Sequence, residues 1–381
     1  MNTLSYLFSP LKLKNIDLFN RITMAPMYVG YAGADGRVNE LVIEHYKKMG
    51  SSGASLIVVE NICIDVSGLG SPFTLRVDND EFIQGLEKVA HIIHKGGAFA
   101  FAQINHAGRY AFPKERIAPS PVKLWDITPR EMTKSEILMI VEKYAQAAER
   151  IKKAGFDGVE LHGGTGYLLS QFLSPRLNIR TDEFGGDIEA RMRFPLMVIK
   201  AVRENVGNQF PVGYRLLADE LFPGGFTLDE AKVFAKACKE DIDYFSVMVG
   251  THESFKMPPY VHMERNEGYM VPYAKAIKHA IPEKIVIAAG RIQTPLYADE
   301  IIKDGEIDLI GLARVLFADP LWPKKAKGEI QEPIIPCNPN CSQCMDMLMK
   351  GKKPYCSQWS KEERQEFVKK IEQIKASEKS S

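Results

Sequence analysis

The sequence of 381 residues has no long hydrophobic run, because no stretch approaches eighteen consecutive apolar residues. A helix that crosses a membrane needs about 20 such residues, so no transmembrane segment is predicted. The first residues, MNTLSYLFSPLKLKN, also lack the apolar core and small-residue cleavage site of a secretory signal. These absences predict a cytoplasmic protein without a membrane partner.

The sequence also has almost no net charge, because 49 Lys and Arg residues face 48 Asp and Glu residues, which leaves +1. Proteins that bind nucleic acid or anionic membranes usually carry an excess of basic residues. We therefore expect neither partner. With 45% hydrophobic and 25% charged residues, the chain has the composition of an ordinary globular protein.

Eight short β-rich runs alternate with amphipathic segments along the chain. The runs are RITMAP (21–26), SLIVVEN (55–61), AFAFAQI (98–104), GVELHG (158–163), VGYRLL (212–217), YFSVMV (244–249), IVIAAG (285–290) and LIGLAR (309–314). Most are nearly all apolar, which is typical of parallel strands covered on both faces. Between them, Thr133 with Glu136 and Thr227 with Glu230 form capping boxes that predict helix starts. This alternation predicts an α/β fold, a (β/α)8 TIM barrel.

The alternative architecture is an open doubly wound sheet. No G-x-G-x-x-G turn follows the first strand, where a dinucleotide-binding fold places its phosphate loop. The sequence therefore favours the closed barrel.

Polar and basic residues follow the predicted strands, at the end of the barrel where such enzymes have their active sites. They include Glu60, Asn61, Gln103, His106, His162, Arg215, His252, Arg291 and Arg314. Each alone can be explained as a structural hydrogen bond or ion pair, but together they indicate a site for an anionic ligand.

The loops after the seventh and eighth strands read AAGRIQ and LARVLFADP. A TIM barrel usually binds phosphate with these two loops. We expect the backbone and guanidinium groups of Gly290, Arg291, Ala313 and Arg314 to hold a phosphate. The structural alternative is that the two arginines only cap strand ends at the surface.

Four of the six cysteines fall close together, at Cys337, Cys341, Cys344 and Cys356. Disulfides are rare in the cytoplasm, so this spacing predicts a metal site. Three ligands close together and a distant fourth suit a [4Fe-4S] cluster better than zinc, which stays the alternative. The scattered Cys63 and Cys238 are predicted to be buried.

Several longer motifs carry a resemblance. They are NRITMAPM (20–27), AQINHAGR (102–109), APSP (118–121), GFDGVELHGGTGYLLSQFLSPRLNIRTDEFGG (155–186) and RMRF (191–194). Together they resemble the Old Yellow Enzyme family of FMN-dependent ene reductases, from about residue 5 to 325. GTHES (250–254) and the late cysteines are similar to the 2,4-dienoyl-CoA reductase and 2-enoate reductase group.

That group carries a [4Fe-4S] cluster on C-x-x-C-x-x-x-C and a fourth cysteine, whereas this chain has C-x-x-x-C-x-x-C with the middle cysteine displaced. The resemblance therefore implies a cluster on an altered spacing. Relatives with this cluster have a further flavin and nicotinamide domain, which we expect this chain to lack. Electrons would then come from NAD(P)H at the FMN or from a separate reductase.

The resemblance also implies an FMN across the barrel mouth. Its predicted ligands are Ala25, Pro26, Met27, Tyr28, Asn61, Gln103, Arg215, Gly290, Arg291, Ala313 and Arg314. His162 corresponds to the residue that binds the carbonyl oxygen of an activated alkene, and Tyr167 to the proton donor for its α carbon. Many members have a second histidine or asparagine where this chain has Thr165, a weaker donor, so His252 is the candidate assisting acid. His106 is expected to be structural.

The expected organisation is a barrel (1–330), a cysteine-rich loop (331–360) and a charged helical tail (361–381) with a disordered serine-rich end. The expected function is reduction of an activated C=C bond in an α,β-unsaturated carbonyl, enoate or enoyl thioester. Two alternatives are an amine dehydrogenase that oxidises a C–N bond and a non-catalytic FMN and iron–sulfur electron-transfer subunit. A homo-oligomer is compatible with the sequence.

Overall fold

A computed structural model describes residues 4–378 of the chain, with side chains as far as residue 374. Its strands are β1 (Leu11–Leu13), β2 (Ile16–Leu18), β3 (Ile22–Met24), β4 (Leu56–Cys63), β5 (Phe99–Asn105), β6 (Ile117–Ala118), β7 (Arg130–Glu131), β8 (Gly158–Gly163), β9 (Val212–Asp219), β10 (Tyr244–Val249), β11 (Ile285–Ala288) and β12 (Leu309–Leu312). Strands β3, β4, β5, β8, β9, β10, β11 and β12 form a closed parallel barrel in that order. The eight predicted runs supply these strands, so the barrel prediction is confirmed and the open sheet is wrong.

Helices follow the strands and cover the outside of the barrel. They are α1 (Glu40–Gly50), α2 (Ile83–Lys95), α3 (Lys134–Lys153), α4 (Leu168–Leu173), α5 (Ile188–Val206), α6 (Leu228–Cys238), α7 (Pro258–Met263), α8 (Val271–Ala280), α9 (Pro295–Lys303), α10 (Arg314–Ala318), α11 (Trp322–Lys327), α12 (Gln343–Met349) and α13 (Lys361–Glu378). Both predicted capping boxes are present, at the starts of α3 and α6. None of the helices within residues 4–378 combines the length and the hydropathy that crossing a bilayer requires.

The barrel is closed at its amino-terminal end by the antiparallel hairpin of β1 and β2. Leu13, Ile16 and Leu18 of this hairpin are buried in one cluster with Phe101 and Tyr244 of the barrel. Strands β4, β8, β10 and β12 are buried along their whole length, because one face points into the barrel and the other against helices. The carboxyl ends of the strands are left to form the site.

The C-terminal extension (residues 331–360) packs against the loop that follows β3. The Tyr31 hydroxyl donates to the carbonyl oxygen of Pro354. The ammonium group of Lys353 donates to the carbonyl oxygens of Gly30 (3.1 Å) and Ala32 (3.0 Å). The extension is therefore joined to the barrel at its carboxyl-terminal end.

Helix α13 continues this attachment. Its Phe367 ring lies 5.4 Å from the ring of Tyr31, and Lys370 forms ion pairs with Glu40 (3.1 Å) and Glu44 of α1. The predicted tail thus begins as a helix docked on the barrel. Residues 379–381 of its serine-rich end lie outside the described residues.

Candidate active site

A cavity of about 110 Å³ lies at the carboxyl ends of β11 and β12. Six of the predicted cofactor ligands line it, namely Ala25, Arg215, Gly290, Arg291, Ala313 and Arg314. Tyr269, Met270 and Cys337 line the same cavity, and the sequence alone did not assign them to it. The two loops that the strand order singled out therefore meet in one place.

Gly290 and Arg291 show why this cavity suits an anion. Gly290 has a φ of +102°, and an added Cβ would lie 2.8 Å from the backbone nitrogen of Met270, so only glycine fits. The Nε of Arg291 donates to the carbonyl oxygen of Glu264 at 2.7 Å. Its Nη1 is buried and has no hydrogen-bond partner among the described residues. A buried guanidinium N–H without a partner is costly, and a phosphate oxygen would satisfy it.

Inside the barrel, Glu160 holds Gln103, one of the two polar side chains predicted to meet the flavin ring. Its carboxylate accepts hydrogen bonds from Gln103 Nε2 (2.7 Å) and from the hydroxyl of Tyr244 (3.0 Å). Burial raises the pKa of Glu160, and the nearby charge of Arg215 opposes that rise. Arg215 in turn donates to Ser246 Oγ at 2.6 Å. The Gln103 carbonyl oxygen is therefore turned away from Glu160.

Glu160 was not predicted as a site residue, although it stands in the quoted run GVELHG. The available signal was a single carboxylate in a strand whose six residues are all buried. A buried carboxylate needs hydrogen-bond donors or a cation, and these come from strands distant in sequence.

His162, near the end of β8, is a neutral hydrogen-bond donor. Its Nδ1 accepts a hydrogen bond from the backbone nitrogen of Gly164 at 3.2 Å, which assigns the proton to Nε2. Burial holds its pKa well below the usual range, and the charges of Arg215 and His252 lower it further. The imidazole therefore offers an N–H without carrying a positive charge.

Tyr167 lies beside His162, just before α4. The two ring centroids are 4.9 Å apart at an interplanar angle of 78°. Burial raises the pKa of the Tyr167 hydroxyl, the nearby Tyr28 raises it further, and a hydrogen bond with the Asn61 side chain lowers it. The phenol therefore keeps its proton at neutral pH. Asn61, predicted as a cofactor ligand, has its amide at this hydroxyl.

The hydroxyl of Thr165 contacts a methionine of β10. Its backbone has a φ of +59°, and its Oγ1 donates to Met248 Sδ at 3.5 Å. A hydroxyl has one proton to donate, and here that proton is directed at a sulfur atom. The role of Thr165 in the substrate-binding pair therefore stays a prediction.

His252 also lies near Tyr167. Its backbone nitrogen donates to the Thr165 carbonyl oxygen at 3.3 Å, which joins the loop after β10 to the loop after β8. Its ring centroid is 5.3 Å from that of Tyr167 and 4.7 Å from that of Tyr110. Burial lowers its pKa to about 4, so it is neutral at physiological pH. Tyr110, one residue beyond the AQINHAGR motif, is a neighbour that sequence reasoning missed.

His106 is structural, as the sequence predicted. It is fully buried. Its Nδ1 accepts from the backbone nitrogen of Gly108, and its Nε2 is 3.1 Å from Ser67 Oγ. Both ring nitrogens are therefore occupied within the protein.

The segment after β3 forms another wall of the mouth. Ala25 is buried, whereas Pro26, Met27 and Tyr28 are partly exposed. Buried Glu60 accepts a hydrogen bond from the backbone nitrogen of Val29, which fixes the end of this segment. Burial raises the pKa of Glu60 to about 7. The predicted flavin-facing residues are thus held on a loop that leaves three of them accessible.

The four late cysteines lie near one another but are not arranged as ligands. Burial and then the neighbouring thiols of Cys337, Cys344 and Cys341 raise the pKa of Cys356 to about 11. However, within the described part of the chain no group of three or more His, Cys, Asp or Glu side chains could hold a metal ion. Cys341 Sγ instead lies 3.1 Å from Ser357 Oγ. The predicted metal site is therefore not confirmed, whereas Cys63 and Cys238 are buried as expected.

Comparisons with known proteins agree with this geometry. The profile of the NADH:flavin oxidoreductase / NADH oxidase family matches residues 6–332. The chain is 41% identical over 348 residues to an NADH oxidase of Thermoanaerobacter brockii, covering 88% of this chain and 53% of that protein. It is 42% identical over 361 residues to a metal reductase of Desulforamulus reducens (strain ATCC BAA-1160 / DSM 100696 / MI-1), covering 93% and 53%.

The chain thus spans about half the length of these two curated relatives. Among solved structures, it is similar to a 2-naphthoyl-CoA reductase in complex with 2-naphthoyl-CoA. The TM-score is 0.88 at 29% sequence identity, and the match covers 94% of this chain and 57% of that one.

Proposed function

The chain belongs to the NADH:flavin oxidoreductase / NADH oxidase family, and from this premise we propose that it is an FMN-dependent ene reductase. The family match agrees with the resemblance to the Old Yellow Enzyme family that the motifs carry. The proposed substrate is an activated alkene, in an α,β-unsaturated carbonyl, an enoate or an enoyl thioester. The placement beside the 2,4-dienoyl-CoA reductases stays a prediction.

The residues at the barrel mouth fit an FMN. The unpartnered Nη1 of Arg291 and the side-chain-free backbone at Gly290 suit its phosphate. Gln103, held by Glu160, and Arg215, held by Ser246, suit the polar edge of its ring. When bound, FMN supplies the hydride that a C=C bond accepts and takes its own electrons from NAD(P)H.

The residues of the chain supply polarisation and the proton. His162 donates its Nε2 proton to the carbonyl oxygen of the alkene, which stabilises the negative charge that develops there. His252, also neutral, is the proposed second polar group in place of Thr165. Tyr167 gives its hydroxyl proton to the α carbon, and its raised pKa is no obstacle because an enolate carbon is strongly basic.

The observation that carries this proposal is the proximity of two neutral imidazoles to Tyr167, with ring centroids 4.9 Å (His162) and 5.3 Å (His252) from that of the phenol. An electron-transfer subunit needs no proton donor at its flavin. The names of the relatives, an NADH oxidase and a metal reductase, support electron transfer in general. The 2-naphthoyl-CoA reductase supports an unsaturated acyl thioester.

The source of electrons is part of the same proposal. We propose NADH or NADPH acting directly at the FMN, in keeping with the description of the family. A separate reductase is the alternative partner. A [4Fe-4S] cluster at Cys337, Cys341, Cys344 and Cys356 stays a prediction from the cysteine spacing, because the described side chains form no group that could hold a metal ion. No step at the alkene depends on it.

Anaerobic half-reactions test the function. FMN-loaded enzyme is reduced with NADPH or NADH, freed of nucleotide, and mixed with 2-cyclohexen-1-one. We expect the oxidised flavin absorbance to return and the saturated ketone to form in equal amount. Bleaching of the oxidised enzyme by an amine would instead favour C–N oxidation. Failure with alkenes of all three classes would overturn the proposal.

A further inference from the structure

Trp125 occupies an unusual position near the barrel mouth. Its side chain is 66% exposed and its backbone has a φ of +52°. It stands in a tight turn closed by two backbone hydrogen bonds between Leu124 and Ile127, of 2.8 Å and 3.0 Å. A bulky residue in the left-handed region is strained, and an exposed indole gains little from burial. Neither stability nor turn chemistry therefore explains a tryptophan here.

The turn is fixed by a buried ionic group. Arg109, 2% exposed, donates from Nη2 to the carbonyl oxygen of Lys123 at 3.0 Å. Its Nη1 is 3.3 Å from Glu253, the residue after His252, and Arg176 donates to the same carboxylate at 2.9 Å. The loop that carries Trp125 is thus tied to the loop that carries His252.

Trp125 also begins a row of aromatic rings that leads into the site. Its ring centroid is 6.2 Å from that of Tyr110, at an interplanar angle of 63°. Tyr110 lies 4.7 Å from His252 and 6.3 Å from Tyr167. Its hydroxyl donates to Glu253 at 3.2 Å, which fixes the ring in place. The row therefore connects the solvent with the two groups proposed to act on the alkene.

We propose that Trp125 and Tyr110 form a substrate-specificity wall, which selects alkenes conjugated to a flat aromatic group over purely aliphatic ones. This inference rests on the proposed function and names its substrate class. A planar ring gains edge-to-face and offset contacts along this wall that a short alkyl chain cannot make. The carboxylate behind the wall is paired with two arginines, so no free negative charge opposes an apolar aryl group.

The test uses one saturated ketone and two enones. Trp125→Asn removes the ring with a residue type that tolerates the left-handed backbone. Trp125→Phe keeps a ring, and Phe112→Ala removes an unrelated exposed ring, 59% exposed. Calorimetry on FMN-loaded protein measures the Kd of 4-phenylbutan-2-one, a saturated product that cannot be reduced. Steady-state kinetics compare KM for 4-phenyl-3-buten-2-one with KM for 3-penten-2-one.

We expect W125N to raise the Kd of the phenyl ketone about fivefold and to shift the ratio of the two KM values by a similar factor against the aryl enone. W125F should recover at least half of this effect, and F112A should leave the ratio unaltered. The proposed specificity wall would be wrong if W125N left the Kd and the ratio of the two KM values unchanged, or if both enones changed equally.

Failure of the proposed function gives a different result. If wild-type enzyme reduces neither enone, the alkene reaction is wrong, but the calorimetric comparison of W125N with F112A still decides whether the wall binds an aryl group.

Discussion

The backbone nitrogen of His252 donates a hydrogen bond to the carbonyl oxygen of Thr165 at 3.3 Å. This contact joins the loop after β10 to the loop after β8, across strands that are not neighbours in the barrel. It accompanies a distance of 5.3 Å between the ring centroids of His252 and Tyr167. The second imidazole thus reaches the site from a different loop than the first.

Replacing Tyr167 with phenylalanine tests its role as the proton donor. Because the phenol supplies the proton for the α carbon, Y167F should slow reoxidation of the reduced flavin by the alkene by about 10². Reduction of the flavin by NAD(P)H should be unaltered, as stopped-flow absorbance would record. Tyr214→Phe is the matched control, since it removes the hydroxyl of another buried tyrosine that has no partner in the described structure. Equal reoxidation rates in Y167F and wild type would remove Tyr167 from the acid role.

The pH dependence of alkene reduction follows from the two neutral imidazoles. Burial lowers the pKa of His252 to about 4 and holds the pKa of His162 well below its usual value. Neither imidazole therefore gains a proton between about pH 5 and pH 8, so neither should introduce an inflection into the rate of flavin reoxidation across that range. An inflection near the ordinary histidine pKa of about 6.5 that disappears in His252→Asn would contradict this prediction.

Stability should fall in mild acid for a related reason. Burial lowers the pKa of His45 to about 3 and that of His106 to about 4. Below about pH 6.5 these histidines bind protons in the unfolded chain, whereas in the folded chain they stay neutral down to about pH 4. The free energy of unfolding therefore decreases as the pH drops through this window. Each such histidine contributes up to about 1.4 kcal/mol per pH unit.

His45→Phe is the informative variant for that prediction. His45 is surrounded by the rings of Tyr31, Tyr46 and Phe317, and its Nε2 has no partner among the described residues. H45F should fold and show a smaller loss of stability between about pH 6.5 and pH 4 in urea unfolding. An identical slope in the variant and the wild type would exclude His45 as a source.

The affinity for FMN should depend on Arg291. Hydrogen bonds to charged groups contribute about 1.5–3 kcal/mol, so Arg291→Ala should raise the Kd of FMN by at least about tenfold in fluorescence titrations. Arg37→Ala removes an arginine that pairs with Asp35 and Glu81 and does not line the cavity, and it serves as the control. An unchanged affinity for FMN in R291A would contradict the assignment of the FMN phosphate to this cavity.

Metal analysis decides the role of the four late cysteines. Protein purified without air should contain about four iron and four acid-labile sulfide per chain if the predicted cluster is bound. Cys344→Ser should lose both, whereas Cys238→Ser, at a buried site away from the extension, should lose neither. Zinc without sulfide would favour the alternative metal, and protein free of both would refute a metal site.

The barrel could be predicted because each of its strands has a local sequence signal, a short and mostly apolar run. A parallel strand buried on both faces must be apolar nearly throughout, and each run quoted from the sequence satisfies that requirement within a few residues. The cavity lined by Gly290 and Arg314 could be predicted from strand order, because these residues follow the seventh and eighth strands of the barrel.

The finer contacts were not predictable because they depend on residues that only the closed barrel brings together. Glu160 meets Gln103 and Tyr244 across three strands. The direction of the Thr165 hydroxyl is set by the sulfur atom of Met248, which lies 83 positions away in the chain. Neither pairing leaves a local trace in the sequence.

The attachment of the extension at Tyr31 and Lys353 has a mechanical consequence. Gly30 and Ala32, whose carbonyl oxygens hold Lys353, continue directly from the segment that ends in Tyr28. A change that detaches the C-terminal extension should therefore also make the segment after β3, on which the cofactor is proposed to rest, more mobile. Protease cleavage within residues 333–356 should therefore cause loss of the bound FMN before the barrel itself unfolds.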